Sequence, residues 1–164
     1  MSSKRFEPPV FSSVEALRDH LAPLRAQGRT LVTTNGCFDL LHRGHIQCLS
    51  DCALLGDLLV VGINSDASVR RLKGPGRPVQ RERDRAAIIA SLAMVHATFV
   101  FNEDDPRAFI EVLRPDIHAK GGDYTHDMIE TPVVERYGGK VVLVSLLQGF
   151  STSSLVTSLL CHED

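Results

Sequence analysis

Residues 30–45 read TLVTTNGCFDLLHRGH, and the fold turns on this stretch. Its first five residues, Thr30-Leu31-Val32-Thr33-Thr34, are apolar or β-branched, the composition of a strand covered on both faces. Asn35-Gly36 ends the run. Beyond His45, the residues Ile46, Leu49, Cys52, Ala53 and Leu55 recur at helical spacing. A strand, a turn and a helix N-terminus in that order form the usual phosphate site of an open α/β sheet. The same alternation repeats outward. Strand-like runs occupy 57–64, 97–101, 116–120 and 140–146, and helical patterns occupy 83–94, 106–113 and 131–137. This predicts a single Rossmann-like α/β domain: a doubly wound parallel sheet of about five strands with helices on both faces. Upstream, Ser12-Ser13-Val14-Glu15 reads as a capping box that opens a helix through about residue 24, with Pro23 set to kink its end. The expected division is an N-terminal helical extension over 1–29 and a catalytic domain over 30–164.

Composition narrows the function classes. The chain has 164 residues, enough for a core of its own, and 43% of them are hydrophobic. No apolar run reaches the ~18 residues of a membrane span, and no apolar N-terminal stretch marks a secretory signal, so the expectation is a cytoplasmic chain without membrane contact. Its four cysteines are then read as reduced thiols. A net charge of −2 and an aromatic content of 5% argue against nucleic-acid partners. The one charge asymmetry is local. Residues 70–85 carry seven Lys or Arg (Arg70, Arg71, Lys73, Arg77, Arg81, Arg83, Arg85) against Glu82 and Asp84. That segment is the natural countercharge for a polyphosphate; the competing reading is a solvated basic helix face.

Chemistry concentrates in the first turn. Gly36 admits close backbone approach to a ligand, and Gly44 opens the helix without a side chain in the way. His42 and His45 are three apart, so two imidazoles project to one side of a positively polarised helix end. Such a pair can donate to one phosphate group, which fits phosphoryl or nucleotidyl transfer. Zinc binding is an alternative that lacks a further ligand at suitable spacing. Cys48 and Cys52 read as one buried helix face, and Cys37 as a small turn residue. Neither a Walker A sequence nor a GxGxxG fingerprint is present; Gly74-Pro75-Gly76 is neither.

NGCFDLLHRGH resembles the HxGH signature of the cytidylyltransferase-like nucleotidyltransferases. GINSDASVRRLKGPGRPV (62–79), AKGGDY (119–124), GGKVVLV (138–144) and STSS (151–154) are similar to the adenylyltransferases of ADP-heptose synthesis. That family joins ATP to D-glycero-β-D-manno-heptose 1-phosphate for the lipopolysaccharide inner core, either fused to a sugar kinase or as a separate chain, and this length matches the separate form. The resemblance implies roles. His42 and His45 hold the nucleotide phosphates and stabilise the transition state, and Lys73 and Arg85 act beside them. Asn35, Gly36, Cys37, Phe38, Asp39 and Gly44 lie beneath the nucleotide. Lys120, Gly121, Gly122 and Asp123 approach the ribose and base, and Ser151, Thr152 and Ser153 bind the outer phosphates. Asn64, Asp66 and Arg77 are assigned to the sugar phosphate. Mg²⁺ accompanies ATP without an all-protein metal site, and a homodimer fits the family, with the N-terminal helix available for its interface. STSSLVTSLL holds no basic residue where many superfamily members carry an Arg, so phosphate contacts there would rest on hydroxyls and backbone. Sister enzymes such as glycerol-3-phosphate cytidylyltransferase share the histidines and the fold, while the KGGDY and LKGxxRPV matches favour heptose. A nucleotide-binding regulatory module without chemistry is the reading from another class.

Overall fold

β-branched and apolar residues dominate six parallel strands in the computed structural model, which describes residues 7–122, 128–145, 147, 149 and 152. In chain order the strands are β1 (Val10–Phe11), β2 (Leu31–Gly36), β3 (Leu58–Asn64), β4 (Ala97–Phe101), β5 (Ile117–Gly121) and β6 (Lys140–Val144). The helices are α1 (Val14–Ala26), α2 (Arg43–Ala53), α3 (Asp66–Lys73), α4 (Glu82–Ala90), α5 (Arg107–Leu113) and α6 (Thr131–Arg136). The sheet order is β1-β4-β3-β2-β5-β6. From β2 the chain winds outward through β3 and β4, then returns to place β5 on the other side of β2. The order therefore reverses between β2 and β5, and ligands of open α/β sheets bind at such a reversal, outside the carboxyl ends of the strands.

Each face of the sheet has its own core. One holds Leu17 and Leu21 of α1 and Phe109, Ile110 and Leu113 of α5 against Leu31, Leu58, Val60 and Phe99. The other holds Leu49 and Cys52 of α2 and Ala86 and Ile89 of α4 against Val32, Val61, Ile63 and Ala119. Strand side chains alternate between the two, so β3 is buried at every position.

Three local features differ from the sequence reading. First, Val10–Phe11 adds a sixth strand, paired with β4, inside the segment expected to be only helical; two residues are too short for a visible pattern. Second, the cap of α1 is Ser13, whose hydroxyl accepts from the Ala16 N–H at 3.1 Å, so the box built on Ser12 and Glu15 does not form. The helix runs past Pro23 to Ala26. Third, the basic segment opens with α3, which was not predicted. It is capped by Ser65, which accepts from the Ser68 N–H at 3.0 Å. Smaller shifts occur at the ends: α4 stops at Ala90, where the Ser91 hydroxyl donates to the Ala87 carbonyl at 2.8 Å.

Candidate active site

β2 delivers Asn35 and Gly36 to the carboxyl edge of the sheet, and the chain turns sharply through Cys37, Phe38 and Asp39. Phe38 adopts a left-handed backbone with φ +46°. Its ring lies over Gly36, where an added Cβ would meet the ring at 2.9 Å. The same ring packs 5.2 Å from the His45 imidazole. A glycine at 36 thus lets Phe38 fold back and form one wall for His45.

His42 is the N-cap of α2 and His45 is its third residue, in a reciprocal cap. The Nδ1 atom of each ring accepts from the backbone N–H of the other residue at 3.4 Å. The rings stack with centroids 3.7 Å apart. Because both Nδ1 atoms are acceptors, the neutral rings carry their protons on Nε2. Burial lowers the pKa of His42, and burial together with neighbouring His42 brings His45 down to about 4. At neutral pH the pair therefore offers N–H donors without the charge of two imidazolium ions. The α2 N-terminus adds its own positive polarity.

These residues line a cleft of about 740 Å³ at the strand reversal, together with Asn64, Lys73, Arg77 and Thr152. Lys73 is the last residue of α3, exposed at the cleft, with Gly74 as its cap at a positive φ of +89°. Asn64 ends β3, and its Nδ2 donates to the Ser68 hydroxyl at 3.0 Å. One buried acceptor, the Asn35 Oδ1, has no hydrogen-bond partner among the described residues.

Other expected site residues have their polar groups engaged within the protein or sit outside the cleft lining. Asp39 is buried, and its carboxylate is fully engaged: it accepts from the N–H groups of Val79 (2.7 Å) and Gln80 (3.0 Å) and pairs with Arg77 at 2.7 Å. Arg85 is fully buried, with its guanidinium on the carbonyls of Gln80, Cys37 and Asn64 and on the Asp66 carboxylate. Asp66 faces Arg85 and does not line the cleft. Lys120 pairs with buried Glu130 at 2.6 Å, and Gly122 donates to the Val144 carbonyl, extending the β5–β6 pairing. Lys120, Gly121 and Gly122 sit at the end of β5 but outside the cleft lining. Asp123, Ser151 and Ser153 lie outside the described residues. Of the seven cations in 70–85, Lys73 and Arg77 reach the cleft; Arg71 is held by Asp104, and Arg85 by Asp66. The segment is thus less of a phosphate cradle than its summed charge implied. Conversely, Cys48, Val69, Leu72 and Leu147 line the cleft unanticipated. The signal for Cys48 was its place one turn beyond His45.

Among the described residues, no group of three or more His, Cys, Asp or Glu can hold a metal ion. Among the described residues, the one carboxylate in the cleft lining is Asp39, and its oxygens are engaged as above. A second groove, of about 800 Å³, lies between α1 and α5 by Leu31, the first residue of β2, at the other end of the strands. Its arginines are engaged: Arg25 donates to the carbonyls of Leu113 and Arg114, and Arg114 covers the Tyr137 ring. Among the described residues it brings no convergent donors to a ligand.

The cytidylyltransferase-like family model matches residues 33–156. A bifunctional protein HldE of Syntrophotalea carbinolica is 52% identical over 147 residues, which are 89% of this chain and 30% of that protein. Its counterpart in Geobacter sulfurreducens is 48% identical over 149 residues, again 30% of that protein. The chain thus spans about 30% of the length of these curated relatives. Among solved structures, a lipopolysaccharide core biosynthesis protein of Thermoplasma volcanium superposes with a TM-score of 0.61 at 33% identity, covering 73% of this chain and 98% of that one. A pantoate-β-alanine ligase of Francisella tularensis, at 11% identity and a TM-score of 0.60, shares the fold; the alignment covers 95% of this chain and 78% of that one.

Proposed function

The chain belongs to the cytidylyltransferase-like family of nucleotidyltransferases, and from that premise we propose that it joins AMP from ATP to D-glycero-β-D-manno-heptose 1-phosphate, releasing pyrophosphate and forming ADP-heptose. The observation that carries the reading is the reciprocally capped His42–His45 pair at the start of α2, in the cleft at the strand reversal. The heptose assignment rests on the sequence resemblance and on the likeness to a lipopolysaccharide core biosynthesis protein.

The reaction follows from what these groups can do. An oxygen of the sugar phosphate attacks the α-phosphorus of ATP. The new O–P bond forms as the bond to the bridging α,β oxygen breaks, and that electron pair leaves with pyrophosphate. The attacking phosphate is already ionised, so no general base is needed. Catalysis is then orientation and charge stabilisation. The Nε2–H groups of His42 and His45 donate to phosphate oxygens, the α2 N-terminus adds its dipole, and the Lys73 ammonium approaches from the cleft mouth. Mg²⁺ arrives as part of the substrate, bound to the ATP phosphates.

The expected setting is the cytoplasm, where ATP is available; no helix among the described residues is long and apolar enough to cross a membrane. A homodimer is part of the proposal and is read directly by sedimentation. The test of function is pyrophosphate release with Mg²⁺, crossing ATP, CTP and GTP against both anomers of heptose 1-phosphate and against glycerol 3-phosphate. Release with ATP and the β-anomer alone is expected. Release only with CTP and glycerol 3-phosphate would replace the substrates, and ATP binding without release for any pair would favour a regulatory module.

A further inference from the structure

Arg85 sits at the first full turn of α4, and its side chain has no solvent exposure. Its Nε donates to the Gln80 carbonyl at 3.0 Å, one Nη to the Cys37 carbonyl, and the other Nη to the Asn64 carbonyl at 2.8 Å. The second Nη also pairs with Asp66 at 2.8 Å. Three carbonyls from three chain segments thus converge on one planar cation. Cys37 belongs to the turn that leads into the histidine pair, Asn64 ends β3 at the cleft, and Gln80 closes the segment that carries Arg77. Asp39 ties the same segments in the opposite sense, taking the N–H groups of Val79 and Gln80 from the turn side. Arg85 does not line the cleft.

We infer that Arg85 is a positioning residue for the proposed nucleotidyl transfer: it sets the spacing between the histidine turn, the end of β3 and the Arg77 segment, and does not touch the nucleotide. This rests on the function proposed above. Its charge is already matched by Asp66, and its donors satisfy three carbonyls, that of Asn64 buried and those of Gln80 and Cys37 partly so. What matters is the planar fork. A lysine keeps the charge but concentrates its donors at one point, and cannot span three separated carbonyls.

Arg85→Lys and Arg85→Gln, checked for folding by circular dichroism, separate geometry from charge. Both variants are expected to lose kcat by about 100-fold, the effect of misplacing reacting groups by roughly 1 Å. The Lys variant should do no better than about threefold over the Gln variant, and ATP affinity by calorimetry should stay within about threefold of wild type. Near-normal turnover in both variants would overturn the inference. So would rescue by Lys alone, or a tenfold loss of ATP affinity in the Gln variant, because either would put the charge on the phosphates. Wild-type protein supplies a second measurement should the variants fail to fold. Phenylglyoxal is expected to leave Arg85 unmodified with or without ATP, and modification that ATP prevents would place Arg85 at the ligand. If the wild type releases no pyrophosphate with any substrate pair, the function proposal fails, while labelling and calorimetry still decide whether Arg85 reaches the nucleotide.

Discussion

His45 concentrates the chemistry at the scale of one residue. Its Nδ1 is held by the His42 N–H, its ring is walled by Phe38, and its pKa sits near 4 because burial and His42 both oppose the imidazolium. His45→Gln is expected to lower turnover by about 10²–10³, the usual loss for one oxyanion-type donor, with little change in unfolding midpoint. Near-normal turnover in that folded variant would remove His45 from the mechanism. A triphosphate beside the ring must raise its pKa, since the anion favours the charged form. Binding then takes up protons, and affinity should rise as pH falls through the raised value and level off below about 4. Calorimetry at pH 5.5 in two buffers of different ionisation enthalpy measures the uptake, with His45→Gln as the reference for protons taken by ATP itself. Equal uptake by both proteins would contradict the linkage.

Between neighbouring elements, the β2 turn and the β2–β5 contact decide how well the site is held. Gly36→Ala sets a Cβ at 2.9 Å from the Phe38 ring, which cannot retreat without releasing His45. The expected result is a loss of about 1–3 kcal/mol in denaturant unfolding together with reduced turnover. Unchanged turnover would uncouple the two. Across β2 and β5, fully buried His118 lies 2.9 Å from the Thr33 hydroxyl, and burial brings its pKa down from 6.5 to about 3. The unfolded chain accepts a proton below about 6.5 while the folded one refuses it until about 3. Stability is therefore intact above that window and falls as the pH drops through it, by up to about 1.4 kcal/mol per unit from this group. His118→Phe should flatten the dependence between pH 6.5 and 4, leaving the part due to His42, His45 and His96, whose pKa values burial also lowers. An unchanged slope would show that His118 does not titrate this way. β2, β3 and β4 were readable because strands buried on both faces leave unbroken apolar runs, and α2 because its apolar residues recur at helical spacing. α3 was not, because Val69 is its one buried hydrophobic residue and its arginines read as loop charge. The histidine pair was legible from its spacing and its place after a strand. The roles of Asp39, Asp66 and Arg85 were not, because sequence gives charge and not the direction in which a side chain bonds.

Over the whole molecule, two cores on opposite faces of one sheet hold the strand reversal rigid beneath the cleft. α1 belongs to this scaffold, since Leu17 and Leu21 pack in the same core as Leu31 and Leu58. Leu17→Ala is expected to cost about 2–5 kcal/mol in chemical denaturation while kcat of the folded protein stays near normal. A fall in kcat without a fall in stability would mean that α1 acts on the site directly. The claim that the cleft performs adenylyl transfer is tested most directly by following phosphorus labels. The protein is given Mg²⁺, heptose β-1-phosphate and ATP labelled at either the α or the γ position. The expected result is the α label in a sugar nucleotide and the γ label in pyrophosphate, which requires attack at the α-phosphorus. Transfer of the γ label to the sugar phosphate, or release of the α label as free AMP without a sugar nucleotide, would contradict it.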